Sequence, residues 1–339
     1  MWALTTIHDV ARRAGVSIAT VSRVINNVQP IDPETAQRVR AAIEELDYHP
    51  NYVARGLRRR STRSLGLIVS DNSNPFFAEV ARAVEDAGYE AGYSVILCNS
   101  DLSTEKQERY IDVLISRRVD GIVLMSAPGS DVKALVERIS HADIPLVIAN
   151  NEVPDLGVDE VQVAFHEGGY TAGRYLLDLG HRSIAYIGFF SEQVRGHTAR
   201  AQGFMRALSE AGIELASSRI AYGRGRYQDG RAAAAELLGR GVQMTAVFVF
   251  DDLMAMGVIK ELQARGLSVP GDVSVVGFDN IVYSEATTPA ITTVAQPIAR
   301  IGHECVRLLL ERIEHPEMEP RQVLLPTELV ERESCRRLD

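Results

Sequence analysis

The chain runs to 339 residues, 46% hydrophobic and 24% charged, with a formal charge of -9, which is room for a small head plus two ordinary domains. Its three cysteines, Cys98, Cys305 and Cys335, are far apart and none has metal-ligand spacing, so reduced cytoplasmic thiols are expected rather than disulfides or a zinc site. No apolar run approaches membrane-spanning length and no apolar signal region opens the sequence, which argues against a membrane or exported protein.

The charge is unevenly spread. Residues 1–63 hold ten Arg against six Asp or Glu, a net of +4, while the remainder holds 26 basic and 39 acidic side chains, a net of -13. A small basic head on a large acidic body suggests a nucleic-acid-binding part joined to something else.

In the head, Thr6 and Asp9 fit a capping box for a helix over about 7–13, with the Thr6 hydroxyl expected on the backbone N–H three residues on and Val10 and Ala11 facing inward. Gly15 falls where the chain must turn sharply, and Ser17 can cap a second helix whose inner face is Val21, Val24 and Ile25. Ala11, Gly15 and Val21 are small, permissive and apolar where a helix-turn-helix needs them to be. Ile18, Ala19, Ser22 and Arg23 are left on the outer face. There Arg23 can chelate the O6 and N7 of guanine and Ile18 and Ala19 can touch thymine methyls, while Ser17 and Thr20 can bond phosphates. A plain surface helical hairpin is the alternative. Asp32-Pro33-Glu34-Thr35 then starts a third helix, amphipathic through Ala36, Val39, Ile43 and Leu46. After it, HPNYVARGLRRRSTRS (49–64) carries a helix-capable segment, Asn51 to Leu57, into Arg58, Arg59, Arg60 and Arg63, and Leu57 has no obvious core to join.

From Leu65 onward short apolar runs alternate with helical periodicity. The runs are LGLIVSD, YSVILCN, DGIVLMS, IPLVIAN, SIAYIGF, RIAYG, TAVFVF and DVSVVGFDN, with helical segments such as 76–91, 103–118, 166–179 and 251–265 between them. Such alternation predicts parallel, doubly wound sheets, and eight strands exceed one comfortable sheet, so two α/β subdomains are expected.

The stretches TTIHDVARRAGVSIATVSRVINN and ELDYHPNYVARGL, together with the body motifs, resemble the lactose-repressor (galactose-repressor) family of bacterial transcription regulators, nearest to ribose- and purine-repressor-like members. The resemblance covers essentially the whole chain. It implies an all-α helix-turn-helix head (1–50), a hinge helix and linker (51–63) and an α/β periplasmic-binding-protein-like body (64–339). Lobe 1 would comprise about 64–160 and 292–320, lobe 2 about 161–291 and 321–332, with crossovers near 160, 291 and 321. It also makes Ile18, Ala19 and Arg23 the main base readers and places Asn51, Arg55 and Leu57 on DNA. The hinge helix would fold only on the operator, with Leu57 as the minor-groove wedge. Gly56 departs from the small non-glycine residue usual before that leucine, which weakens the hinge helix by about 1 kcal/mol.

Ligands of open α/β sheets sit outside the carboxyl ends of the strands. At those ends stand Asn74, Phe76 and Phe77 (SDNSNPFF), Asn150 and Asn151, Asp251 and Asp279, with Arg200 opening a helix in HTARAQGF and Gln296 beside a crossover in TVAQP. An amide beside two aromatic faces suits a sugar, and an Arg and an Asp can each grip paired hydroxyls. Read alone, Phe76 and Phe77 could be core and Arg200–Asp279 a structural ion pair. The resemblance makes Asn74, Phe76, Phe77, Asn150, Arg200, Asp251, Asp279 and Gln296 the ligand set. Asn150 and Asp251 stand where relatives often carry Asp and Asn respectively. Arg226 or Tyr227 of GRGRYQDG is a further candidate for the pocket roof; that loop's glycines are not spaced as G-x-G-x-x-G.

No HExxH, P-loop or G-x-S-x-G occurs, and His303-Glu304 has no partner His, so neither an enzyme nor a cofactor is expected. After Val330 only ERESCRRLD remains, too short for a tetramerising coil, so a homodimer is expected. The reading is a cytoplasmic, ligand-responsive repressor on a palindromic operator, its effector a sugar or sugar derivative. The alternatives are a solute-binding protein for a transporter, or a regulator with a purine or phosphoprotein corepressor.

Overall fold

The computed structural model describes residues 5–26, 31–48, 61–151, 153, 155–189 and 198–338. The expected hinge residues Asn51, Arg55, Gly56 and Leu57 lie outside them. The chain divides into two compact units, Met1–Thr62 and Arg63–Asp339.

The first unit holds α1 (Ile7–Ala14), α2 (Ile18–Asn26) and α3 (Pro33–Glu45). The Asp9 carboxylate accepts from the Thr6 N–H at 3.0 Å, as a capping box requires; the Thr6 hydroxyl donates to that same carboxylate at 2.6 Å instead of serving only the backbone. Gly15 turns the corner at φ +68°, a conformation that costs glycine nothing. Ser17 Oγ accepts from the Thr20 N–H and Asp32 from the Thr35 N–H, so both later helices start where their caps predict. Val10, Val21, Val39 and Ala42 form the small core; Ile25, Ala36, Ile43 and Leu46 pack around it half-buried. Arg13 on α1 grips Glu45 on α3 at 2.6 Å.

The second unit contains two six-stranded sheets. In chain order the elements of the first stretch are β1 (Ser64–Val69), α4 (Pro75–Glu90), β2 (Ser94–Asn99), α5 (Thr104–Ser116), β3 (Gly121–Leu124), α6 (Val132–Ser140), β4 (Leu146–Ala149) and β5 (Asp159–Val163). Then come α7 (Phe165–Asp178), β6 (Ile184–Phe189), α8 (Ala199–Glu210), β7 (Ile220–Gly223), α9 (Tyr227–Gly239), β8 (Ala246–Val249), α10 (Asp252–Ala264) and β9 (Ser274–Asp279). The chain closes with α11 (Tyr283–Ala286), β10 (Thr292–Ala295), α12 (Ile298–Glu314), β11 (Gln322–Leu325) and β12 (Glu328–Val330). Sheet order is β11-β5-β4-β3-β1-β2 in one lobe and β12-β10-β9-β8-β6-β7 in the other. All neighbours are parallel except β10 and β12.

The crossovers lie later than expected. β5 belongs to the first sheet, so the chain leaves it at Ala164, a few residues beyond the expected 160. β10 is a strand of the second sheet, so the return comes at Gln296-Pro297 and not near 291. β11 pairs with β5 in the first sheet, although residues from 321 onward were expected in the second lobe. The expected positions came from the resemblance, and Asp159-Glu160-Val161-Gln162 and Thr292-Thr293, too polar to read as buried strands, gave no signal to adjust them.

Two glycine contacts set the packing of the second lobe. A Cβ at Gly169 on α7 would stand 1.9 Å from the Arg200 carbonyl oxygen, and one at Gly203 on α8 would stand 1.8 Å from the His166 carbonyl oxygen. Backbone meets backbone there, so no side chain can yield. Among the described residues no helix is long and apolar enough to cross a membrane. We expect Gly203→Ala to destabilise the body by about 1–3 kcal/mol, as overpacking does, and to lower its melting temperature; an unchanged melting temperature would mean that the two helices are free to separate.

Candidate functional site

On the outer face of α2, Ser17, Ala19 and Arg23 are exposed, while Ile18, Thr20 and Ser22 are half-buried. Ile18 packs partly against the head core, so less of it faces outward than the sequence suggests. The Ser17 and Thr20 hydroxyls lie 2.9 Å apart, which ties one hydrogen of the pair to the helix start.

In the body, a cavity of about 350 Å³ lies at the carboxyl ends of both sheets. Asn74, Phe76, Phe77, Asn150, Arg200, Asp251, Asp279 and Gln296 all line it, so residues spread over the whole body sequence converge. Asn151 lines it too. Phe165, Phe189 and Phe250 join them, and the sequence reading missed all three. Phe250, adjoining Asp251 after β8, and Phe189, the last residue of β6, both stand where the strand-end rule points; Phe165 follows β5, whose polar sequence carries no such signal.

Arg200 is only 6% exposed. Its guanidinium lies 3.8 Å from the Phe278 ring centroid, 4.2 Å from that of Phe250 and 5.0 Å from that of Phe165. It donates to the Phe250 carbonyl oxygen and stands 3.8 Å from Asp279 Oδ1. The open alternatives are therefore not exclusive: Arg200 and Asp279 are paired, and both also face the cavity.

Asp251 caps α10, its Oδ1 accepting from the Met254 N–H at 2.7 Å, while its Oδ2 lies 3.4 Å from Asn74 Nδ2 of the other lobe. Burial pushes the Asp251 carboxyl up to about 6, with its cap bond and Arg200 opposing. Burial likewise pushes Asp279 up to about 7, against the pull of Arg200. Asp252, fully buried behind them, is driven well above the ordinary carboxyl range by burial and then by the charge of Asp279. It accepts from the Ile281 N–H at 3.0 Å. That bond fixes the turn in which Asp279 (φ +102°) and Asn280 (φ +59°) adopt left-handed backbone. Asn150 is left-handed as well (φ +53°), so both lobes present a strained, non-glycine strand end to the cavity.

Neither Arg226 nor Tyr227 roofs the cavity; Arg224 and Gly225 line it instead. Arg226 turns to the other lobe, with Nε 3.2 Å from buried Asp71 and Nη2 2.9 Å from Asp101. Glu79 of α4 accepts from the Val282 N–H at 3.1 Å. Together with Asn74 these contacts hold the lobes closed.

The head and the cleft together invite comparison with known proteins. Residues 6–51 match the model for bacterial regulatory proteins of the lacI family, and residues 174–335 match a periplasmic binding protein-like domain. The transcriptional repressor PurR of Proteus mirabilis is 41% identical, over 98% of this chain and 97% of its own. The chain belongs to the lacI family of bacterial regulatory proteins. As a member of that family it is a DNA-binding transcriptional repressor and not an enzyme. Among solved structures, the CelR–cellobiose complex is 36% identical with a TM-score of 0.73, covering 97% of this chain and 99% of that one. The lac repressor dimer bound to operator and the anti-inducer ONPF is 26% identical with a TM-score of 0.88, covering 98% and 100%.

The buried carboxyls give the repressor a pH signature. Because Asp279 keeps its proton in the folded chain up to about 7, well above its unfolded value, its contribution to stability falls as pH rises through that interval. We expect the melting temperature of Asp279→Asn, relative to the parent, to rise between about pH 5 and about pH 7. A difference that stays constant across that range would place the titration of Asp279 elsewhere.

Proposed function

We propose that this lacI-family repressor answers to a neutral, polyhydroxylated effector, a sugar or sugar derivative, held between the two lobes. The observation that carries the reading is the convergence of six planar polar groups, Asn74, Asn150, Arg200, Asp251, Asp279 and Gln296, on one cavity with aromatic walls. Vicinal hydroxyls radiate donors and acceptors in several directions and leave a C–H face for Phe rings. Arg200 is the one buried cation among these groups and faces two carboxyls, while Arg224, the other arginine of the lining, is exposed. The similar CelR structure holds cellobiose.

Two chains read a palindromic operator as a homodimer in this reading, like the lac repressor dimer bound to its operator. Arg23, Ile18 and Ala19 contact bases, with Ser22 beside them, while Ser17 and Thr20 bond phosphates. Asn51, Arg55 and Leu57 act in the minor groove, Leu57 by wedging between base pairs. Effector contacts to both lobes favour the closed body and thereby shift operator affinity.

A purine base is the second reading. The aromatic walls and the 41% identity to the PurR repressor over nearly the full length favour it. A base offers hydrogen-bonding groups only in its own plane, however, and would leave several of the six groups unmatched.

A thermal-shift screen of pentoses, hexoses, disaccharides, polyols and purine bases decides between them. A shift with a neutral sugar and none with purines is expected; the reverse pattern would sink the sugar reading. For the head, Arg23→Ala should cost about 1–3 kcal/mol at one base pair per half-site while binding to random duplex persists. Equal loss on selected and random DNA, measured by gel shift, would remove Arg23 from base reading.

A further inference from the structure

Three polar side chains link the lobes along one edge of the cavity: Asn150 at the end of β4, Gln296 in the crossover after β10, and Asp279 at the end of β9. Gln296 Nε2 donates to Asp279 Oδ1 at 2.7 Å, and Asn150 Nδ2 donates to Gln296 Oε1 at 3.3 Å. An amide side chain has a donor end and an acceptor end, and its neighbours decide which way it turns. Once ionised, as it is above about pH 7, Asp279 can only accept, so it turns the Gln296 amino group toward itself. The Gln296 oxygen is then left for Asn150, whose own amino group must turn to meet it. What remains is Asn150 Oδ1, buried and without a donor among the described residues, on a residue that lines the cavity.

We infer that Asn150, Gln296 and Asp279 form a polarity relay that makes Asn150 a specificity-determining residue, requiring the bound ligand to donate a hydrogen bond to Asn150 Oδ1. The inference rests on the cleft being the effector site and narrows what it takes. A hydroxyl satisfies the requirement, because it donates at that point and still accepts elsewhere. An ether oxygen, a ketone or a fluorine in the same place leaves two acceptors facing each other away from water, a costly arrangement. The relay also ties a lobe 1 residue to the ionisation of a lobe 2 carboxyl, because Asn150, donating to the Gln296 oxygen, steadies and polarises the amide that donates to Asp279.

The test uses the full chain carrying 13C-labelled aspartate, with D-ribose, D-glucose, cellobiose and their monofluorinated analogues as probes. In the ligand-free protein, Asn150→Ala and Gln296→Leu should each raise the pH midpoint of the Asp279 carboxyl carbon, Gln296→Leu by more. In calorimetric titrations of whichever sugar binds the parent, fluorine at one position should weaken binding about tenfold or more, and Asn150→Ala should erase that penalty. If Asn150→Ala fails to fold, Gln296→Leu carries both comparisons, since it frees the Asn150 amide to turn over. An Asp279 midpoint indifferent to both substitutions, or fluorine penalties equal in parent and variant, would overturn the relay. If none of the three sugars binds while the Asp279 midpoint still follows residue 150, the relay stands and the sugar reading of the cleft falls.

Discussion

A guanidinium almost wholly removed from water governs this cleft. Burying an isolated cation costs several kcal/mol unless its surroundings replace the lost hydration. Around Arg200 the replacement has several parts: the Phe250 carbonyl, the Asp279 carboxyl, and the faces of Phe278, Phe250 and Phe165. Arginine tolerates this better than lysine, since its planar, weakly hydrated head stacks on rings. The elements that supply those partners are thereby tied together. β8 ends in Phe250, β9 ends in Phe278-Asp279, and α7 opens with Phe165. Where α8 brings Arg200 is set by the glycine contacts with α7, so helix packing just behind the cavity wall positions the buried guanidinium.

Closure of the body rests on a different kind of contact. Arg226 spans the cleft to Asp71 and Asp101, Asn74 reaches Asp251, and Glu79 receives the Val282 N–H. Half-exposed ion pairs contribute little each, about 0–1 kcal/mol, although buried Asp71 raises the cost of losing Arg226. A modest sum suits a regulator. Were closure very strong without effector, no ligand of ordinary affinity could move the equilibrium between open and closed forms.

Much of the architecture was legible in the sequence because burial on both faces of a parallel sheet leaves continuous apolar runs. The strands from LGLIVSD to DVSVVGFDN are of this kind. β5, β10, β11 and β12 are not: they are short, polar, or at sheet edges beside the crossovers, and so left no apolar run to mark where the lobes change. The strand-end rule pointed to Asn74, Asn150, Asp251 and Asp279, while Arg200, at a helix start, and Gln296, beside a crossover, entered the ligand set through the family resemblance. Arg226 was placed wrongly for a physical reason. Its partners lie far away along the chain, and an ion pair between distant residues leaves no periodicity to read. In the head, the caps at Ser17 and Asp32 located the helices, but Ile18 was assigned wholly outward where the core takes part of it.

In the proposed function the cleft and the operator are two ends of one equilibrium, and such coupling is reciprocal. The most direct test measures both directions: operator affinity with and without saturating effector, and effector affinity with and without saturating operator, the operator being a palindrome selected from random duplexes. The two ratios should agree, and Asp279→Ala should bring the first ratio to one while leaving operator binding itself intact. Effector affinity that is the same on and off the operator would contradict the account, however tightly each ligand binds alone.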